Sequence, residues 1–277
     1  MGVYLSPAKV NLFFKVIKKR KDNFHEIASI YQAVSLFDKL SFEKSKKDSF
    51  FSTDKSIKHE RLNLIIQALD LFREKTKIND CVSIHLEKNI PISAGLGGGS
   101  SNAATTLFAL NDLFDRPLSN QGMIELSKKI GSDPAFFFSK GAAFCTDVGS
   151  VFENIEIKDL SFFIAKPSFG LSTKEVFENL DISLLEKKDI NSIINSYKKN
   201  EFVFFNDLEK SSFLLDKRMD NIKNYLKKIG FKTAVMSGSG SSFFCLNDNV
   251  KVQDTKDISF FKVKSIKRKE GFWYSNN

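Results

Sequence analysis

The stretch most suited to chemistry in this chain is residues 91–104, with the sequence PISAGLGGGSSNAA. Glycine has no Cβ, so its backbone can take positive φ and approach a ligand closely, and Ser100 offers a cap for a following helix. Ala103, Ala104, Leu107 and Leu110 recur at helical spacing, so the positive end of a helix dipole points back into the loop. The stretch therefore predicts a phosphate cradle.

Two other phosphate-binding loops are excluded by inspection. A Walker loop ends in Gly-Lys-Ser/Thr, which is missing here, and a dinucleotide fingerprint begun at Gly95 would need glycine where Ser100 stands. A flexible linker is the remaining alternative. Linkers are expected to be polar on both sides, whereas this loop lies between a strand-like run and an apolar helix, which favours phosphate binding.

A second glycine-serine loop, MSGSGSS, occupies residues 236–242. It lies between the last predicted helix and the last strands, where an ordinary hairpin turn is one interpretation. The presence of two such loops in one chain suggests that both converge on one anion.

Two charged residues each allow a structural and a functional interpretation. Lys9 stands at the start of the first predicted strand, where position alone favours an ordinary edge charge over a group fixed in a site. Asp133 precedes Pro134, as a helix N-cap followed by proline at the first helical position would. The functional interpretation of Asp133 is a carboxylate held in a partly dry site.

The composition bounds the class of protein. The 277 residues are 42% hydrophobic with 29 phenylalanines, which is ample for a core. The net charge of +9 comes from lysines spread along the chain among many acids, which favours a solvated surface over a nucleic-acid or membrane patch. Cys81, Cys145 and Cys245 are odd in number and far apart, so a reducing cytoplasm is expected. No apolar run reaches membrane-spanning length.

The pattern of apolar residues predicts the elements of the first half. Apolar runs within 10–17 and 27–34 flank a charged turn and indicate an opening hairpin, and residues 44–58 are expected to form an exposed connection. Helical spacing from Leu62 to about Glu74 predicts an amphipathic helix with Asn63 at its first turn. A strand over 82–86 then leads to the glycine loop, and a further helix covers 119–130.

The second half alternates helices and strands. Helices are expected near 173–180, 190–199 and 217–229, and strands at 161–167, 233–236, 242–246 and 260–263. This order predicts an α+β half with an antiparallel sheet, beginning after a boundary near 154–159.

Five segments in this order resemble the motifs of the GHMP small-molecule kinases. They are SPAKVNL at 6–12, RKDNFH at 20–25, the glycine loop at 95–104, GSD at 131–133 and SGSG at 237–240. The resemblance covers essentially the whole chain. It implies an α+β, two-domain fold, with an ATP-binding domain like ribosomal protein S5 over 1–155. A ferredoxin-like, substrate-binding domain would cover 156–277, with a deep cleft between the two.

The resemblance also implies a reaction. It points to the branch of the family that transfers the γ-phosphoryl group of ATP to the 2-hydroxyl of a cytidine-diphosphate-linked methylerythritol in non-mevalonate isoprenoid precursor synthesis. Matched residue by residue, Lys9 and Asp133 would be the catalytic pair and Asn11 would lie near the accepting hydroxyl. His25 would hydrogen-bond the cytosine, with Phe24 and Phe177 bracketing the ring.

The remaining matched residues divide between donor and acceptor. Near the adenosine would lie Asn63 and Lys88, and the ATP loop would comprise Pro91, Ser93, Ala94, Gly95, Leu96, Gly97, Gly98, Gly99, Ser100 and Ser101. The third motif, Ser237, Gly238, Ser239 and Gly240, would belong to the substrate site. Kinases usually neutralise ATP phosphates with Mg²⁺, whose protein ligands remain unassigned. The implied protein is a cytoplasmic monomer or weak homodimer with a small-molecule substrate and no nucleic-acid or membrane partner.

The chain departs from the family pattern at several positions. Asn23 stands where glycine is common, and asparagine tolerates positive φ better than most residues. Phe24 replaces a frequent tyrosine and keeps its stacking face. Pro134-Ala135 replaces an apolar residue followed by proline, so the backbone after Asp133 is expected to differ.

Two alternative functions are open from the sequence. Another GHMP kinase acting on mevalonate- or homoserine-type substrates is disfavoured by the triple glycine at 97–99 and by the Asp-Asn-Phe-His turn. A basic RNA-binding module using the S5-like half would instead show steeply salt-sensitive affinity for RNA.

Overall fold

The computed structural model describes residues 2–246 and 249–275. Its first feature is a long antiparallel hairpin of β1 (Gly2–Lys19) and β2 (His25–Lys44), which confirms the predicted opening pair. Three register shifts interrupt the pairing, and such irregularities let a long ribbon bend around a core. In the turn, Asn23 has φ 67°, as its tolerance of positive φ predicts.

The hairpin forms the centre of the first sheet. This sheet runs in the order β3-β4-β2-β1-β8, with β3 (Ser49–Ser52), β4 (Val82–Glu87) and β8 (Phe205–Asn206). Two further strands, β5 (Ala142–Thr146) and β6 (Val151–Asn154), attach through β2. The exposed connection predicted over 44–58 was not expected to contain a strand, but the backbone of β3 within it pairs in parallel with β4.

Three helices pack with this sheet, namely α1 (Leu64–Thr76), α2 (Gly98–Leu113) and α3 (Asn120–Ile130). Asn63 caps α1 by accepting a hydrogen bond from the Ile65 amide, so Leu62 lies outside the helix and is 85% exposed. Helix α2 begins at Gly98 after Gly97 in the left-handed conformation. The predicted Ser100 cap is therefore wrong, because Ser100 lies inside the first turn.

A second sheet is built from the later part of the chain. Its order is β11-β7-β10-β9, all antiparallel, with β7 (Ser161–Pro167), β9 (Thr233–Met236), β10 (Phe243–Leu246) and β11 (Ile258–Lys264). The helices around it are α4 (Thr173–Glu178), α5 (Ile190–Lys198), α6 (Glu209–Leu215) and α7 (Arg218–Lys228). The antiparallel second sheet confirms the prediction, whereas α6 and β8 were not anticipated.

The segment after Asp133 is a 3-10 helix, Pro134–Phe138, whose five residues are all buried. Proline at its first position costs no hydrogen bond, since the amides of a first turn have no partner within the helix. The Asp133 backbone carbonyl accepts a hydrogen bond from the Phe136 amide, while its side chain is held by Lys9 and Tyr31. Asp133 thus stands at the N-cap position with Pro134 directly after it, as predicted, but its side chain makes no capping hydrogen bond.

The two sheets belong to one α+β chain, but the division at residues 155 and 156 remains an interpretation. Strand β8 lies well after that boundary and still joins the first sheet beside β1. Within the described ranges, no helix is both long and apolar enough to cross a membrane.

Candidate active site

A cavity of about 920 Å³ brings together residues from both halves of the chain. Its lining comes from the glycine loop, β1, β2, the segment before the 3-10 helix, α4 and the second glycine loop. The predicted site residues that line it are Lys9, Phe24, His25, Ser93, Gly95, Gly97, Gly98, Gly99, Ser100, Asp133, Phe177, Gly238 and Ser239.

Lys9 and Asp133 form an ion pair at the wall of this cavity. The Lys9 ammonium lies 3.3 Å from Oδ2 of Asp133 and donates a 2.8 Å hydrogen bond to the Asn11 side-chain oxygen. Lys9 is only 3% exposed, so the interpretation as an edge charge is wrong. Its backbone amide donates to the Leu96 carbonyl at 2.9 Å, which ties β1 to the glycine loop. Contacts with Asn11 and with Leu96 of the glycine loop thus fix Lys9 within the pair.

Tyr31 also contacts the pair. Its hydroxyl donates to Oδ1 of Asp133 at 3.1 Å, and its ring centroid lies 4.5 Å from the Lys9 ammonium. Burial, and secondarily the Asp133 carboxylate, raises the pKa of Tyr31 well above its usual value, so the hydroxyl remains a donor. Tyr31 was not among the site residues predicted from the sequence. A tyrosine in an apolar strand was the only signal, and its meaning depends on pairing with Asn11 across the hairpin.

The glycine loop leads directly into the first turn of α2. The Cβ that any other residue would add at Gly97 would lie 2.9 Å from Cγ of Lys9, and Gly97 has φ +68°. The first hydrogen bond of the helix runs from the Ser101 amide to the Gly97 carbonyl. The backbone amides of Gly98, Gly99 and Ser100 therefore have no acceptor within the helix. In the described first turn of α2, no acidic side chain is present that would repel a bound anion. The helix start can therefore hold an anion.

The second glycine loop packs against the first. The Ser237 hydroxyl donates to the Gly95 carbonyl at 3.0 Å and accepts a 3.4 Å hydrogen bond from the Asn11 amide. Asn206 of β8 donates from its side-chain amide to the Met236 and Gly238 carbonyls, both at 2.7 Å. The expected convergence of the two loops is confirmed, while their binding of one anion remains a prediction.

An aromatic pair lines another part of the cavity. The His25 and Phe177 rings stack with centroids 5.0 Å apart and 24° between their planes. Burial, with the nearby Lys19 charge as a secondary cause, lowers the pKa of His25. Because the pKa of His25 lies below its ordinary value, the imidazole is neutral near pH 7 and has one hydrogen-bond donor and one acceptor nitrogen. Phe24 lines the same cavity and is 60% exposed.

The comparisons with known proteins agree with this geometry. The family model of the GHMP kinases N terminal domain matches residues 63–141. A 4-diphosphocytidyl-2-C-methyl-D-erythritol kinase of Protochlamydia amoebophila (strain UWE25) is 41% identical over 271 residues, 98% of this chain and 92% of that relative. The chain belongs to the GHMP kinases.

Comparison with solved structures agrees with the assignment of the chain to the GHMP kinases. A crystal structure of 4-(cytidine 5'-diphospho)-2C-methyl-D-erythritol kinase matches with a TM-score of 0.76 and 29% identity, covering 89% of this chain and 90% of that one. A mevalonate kinase structure matches with a TM-score of 0.69 at 17% identity, over 97% of this chain and 100% of that chain, and shows the fold alone. The expected α+β GHMP kinase fold is confirmed.

Two residues matched to the adenosine lie outside the cavity lining of this GHMP kinase. The Asn63 side chain caps α1, and the Lys88 ammonium forms a 2.8 Å ion pair with the fully buried Asp38. Burial lowers the pKa of Lys88. The same ammonium would lie 3.3 Å from a Cβ on Gly98, so it supports the start of α2 from behind. A contact of either residue with adenosine remains a prediction.

The other matched residues outside the lining belong to the two loops and to β1. Asn11 is fully buried and donates from its side-chain amide to the Ser29 hydroxyl at 3.0 Å, so it supports Lys9 from behind. The loop members outside the lining are Pro91, Ala94, Leu96, Ser101, Ser237 and Gly240. Two of them join the loops, since the Ser242 amide donates to the Ala94 carbonyl and the Ser237 hydroxyl donates to the Gly95 carbonyl.

Proposed function

We propose that this GHMP kinase transfers the γ-phosphoryl group of ATP to the 2-hydroxyl of 4-diphosphocytidyl-2-C-methyl-D-erythritol. The observation that carries the proposal is one cavity lined both by the glycine loop with Asp133 and by the His25–Phe177 pair. The first part suits a phosphate donor, and the second suits a flat base with hydrogen-bonding edges. Curated relatives at 33–41% identity carry the name of that kinase.

The charges of Lys9 and Asp133 suit a direct transfer of the γ-phosphoryl group. The accepting hydroxyl oxygen forms a bond to the γ-phosphorus as the bond from that phosphorus to the β,γ-bridging oxygen breaks, and ADP leaves. The hydroxyl proton passes to the Asp133 carboxylate. Because the transition state of phosphoryl transfer is loose, positioning and charge stabilisation matter more than a strong base, so an ionised aspartate suffices. Lys9 orients this carboxylate and stabilises charge at the reacting oxygens.

The donor is ATP with Mg²⁺. Among the described residues there is no group of three or more His, Cys, Asp or Glu side chains that could hold a metal ion. Magnesium in kinases is commonly held by one or two carboxylates and by the substrate phosphates, so a site that forms only with ATP present fits this donor set. The protein ligands of the ion stay unassigned.

The substrate is tested by measuring ADP release from the purified protein with 4-diphosphocytidyl-2-C-methyl-D-erythritol, mevalonate and homoserine in parallel. We expect turnover with the cytidyl substrate. Turnover only with mevalonate or homoserine would overturn the substrate assignment while leaving the kinase assignment intact.

We expect a cytoplasmic monomer or weak homodimer with neither nucleic acid nor membrane as a partner, which sedimentation and filter binding can test. An RNA-binding module would lose affinity steeply as salt rises, because each neutralised phosphate releases counterions. RNA retention that is strong at low salt and falls steeply with salt would favour that alternative.

A further inference from the structure

Tyr31 contacts both Lys9 and Asp133. It lies on β2, outside the two glycine loops. We infer that Tyr31 is a positioning residue for phosphoryl transfer, whose hydroxyl orients the Asp133 carboxylate and whose ring supports the Lys9 ammonium. The inference rests on the proposed function, in which Asp133 accepts the hydroxyl proton.

The two oxygens of Asp133 are held from two different strands. Tyr31 on β2 donates to Oδ1 at 3.1 Å, and Lys9 on β1 lies 3.3 Å from Oδ2. A carboxylate held at both oxygens has its plane fixed, whereas one held only by a lysine can rotate about its side-chain bonds. The Tyr31 hydroxyl therefore decides which way the carboxylate faces in the cavity.

The position of the Tyr31 hydroxyl is itself fixed. The residue is 2% exposed, and its ring packs edge-on against Phe136 of the 3-10 helix with centroids 5.3 Å apart. Gly149 has φ +104°, and a Cβ there would lie 2.9 Å from the Tyr31 hydroxyl oxygen. A side chain at position 149 would displace the hydroxyl, so glycine leaves the space that Tyr31 needs.

The titratable groups around Asp133 come from three strands. They are Lys9 of β1, Tyr31 of β2 and Cys145 of β5. Burial, followed by the Asp133 charge, raises the pKa of the Cys145 thiol well above its usual value, so this thiol is neutral. Lys9 supplies the charge, and Tyr31 supplies the neutral donor.

The test is Tyr31→Phe, which keeps the ring and its packing and removes only the donor. The matched control is Tyr4→Phe, since the Tyr4 hydroxyl donates to Asp112 at 2.8 Å outside the cavity lining. For Tyr31→Phe we expect kcat to fall about tenfold, as for a lost hydrogen bond to a charged group. The KM for ATP and the melting temperature should stay unchanged. A purely structural role would instead lower the melting temperature and change kcat and KM together.

A second readout does not depend on the substrate. Crystal structures of wild type, Tyr31→Phe and Tyr4→Phe without substrate compare the orientation of the Asp133 carboxylate, and we expect it to be rotated in Tyr31→Phe alone. If wild type shows no turnover with the cytidyl substrate, the proposed function fails while this comparison still decides the role of Tyr31. A Tyr31→Phe variant whose Asp133 carboxylate keeps its wild-type orientation overturns the inference, as does a kcat equal to that of Tyr4→Phe.

Discussion

The hydroxyl of Ser237 donates a 3.0 Å hydrogen bond to the carbonyl of Gly95, across a sequence separation of 142 residues. This contact joins the loop before α2 to the loop between β9 and β10. The two loops form one wall of the cavity, beside the pair of Lys9 and Asp133. The glycine loop before α2 is consequently positioned by a segment from near the end of the chain.

Replacing Gly95 with alanine should disrupt this wall. The added Cβ would lie 2.0 Å from the Ser237 carbonyl oxygen, and the residue has φ +72°. The left-handed conformation alone costs a non-glycine residue about 1–2 kcal/mol, so the loop must move. We expect weaker ATP binding by calorimetry and a lower melting temperature. Gly122→Ala in α3 is the control, because the nearest atom to its added Cβ is 3.5 Å away. ATP affinity equal to wild type in Gly95→Ala would show that the loop contact is dispensable.

Asp133→Asn should remove the proton acceptor while retaining the shape of the side chain. General base catalysis typically contributes about 10²–10⁴-fold, so we expect kcat to fall by that order with little change in nucleotide affinity. Asp112→Asn is the matched control, because Asp112 also accepts a hydrogen bond from a tyrosine, Tyr4. Turnover near that of wild type in the Asp133 variant would exclude this carboxylate from catalysis.

Phe177→Ala should raise KM for the cytidyl substrate more than it changes kcat. Stacking of an aromatic side chain on a base is worth about 1–3 kcal/mol, which corresponds to roughly a 5- to 150-fold change. Phe51→Ala removes a comparable ring, 5.0 Å from His85 and outside the cavity lining, and should leave KM unaltered. An unchanged KM in Phe177→Ala would mean that the base binds elsewhere.

The stability of the protein should fall with decreasing pH partly because of His25. Its pKa is lowered in the folded state by burial and by Lys19, so the unfolded chain binds a proton more readily. The free energy of unfolding therefore decreases as pH falls through the ordinary histidine pKa of 6.5, and this contribution is absent above it. Urea unfolding from pH 7.5 to 5 should show a shallower decrease for His25→Gln. Equal slopes in the two proteins would contradict this assignment.

Trp273 should stabilise the elements on which the site is built. Its ring stacks on Phe108 of α2 at 4.8 Å and packs edge-on against Phe138 of the 3-10 helix at 5.4 Å. Removing a buried ring of this size costs about 3–5 kcal/mol, so Trp273→Ala should lower the free energy of unfolding by that amount. The adjacent Phe272 is 68% exposed, and Phe272→Ala should change stability little. Similar losses in the two variants would show that the contacts of Trp273 with α2 and the 3-10 helix are not what matters.

The residues that sequence reasoning identified are those whose signal is local. Apolar spacing predicted α1 with Asn63 at its first turn, and the helix predicted over 119–130 agrees with α3 to within one residue. The glycine loop was recognisable because only glycine takes positive φ without strain, as Gly95 and Gly97 do. The order of these local signals was enough to indicate the family and its fold.

Tertiary contacts decided the rest. Strand β3 and the two-residue β8 form only because a partner strand is present, and no local pattern marks them. The same holds for Lys9, whose burial comes from the hairpin register and the glycine loop, and for the Asp133 side chain, which faces Tyr31 instead of its own helix. Local sequence thus determined which residues could act, while long-range pairing determined which of them meet, because charge and hydrogen bonding depend on distances that only the folded chain sets.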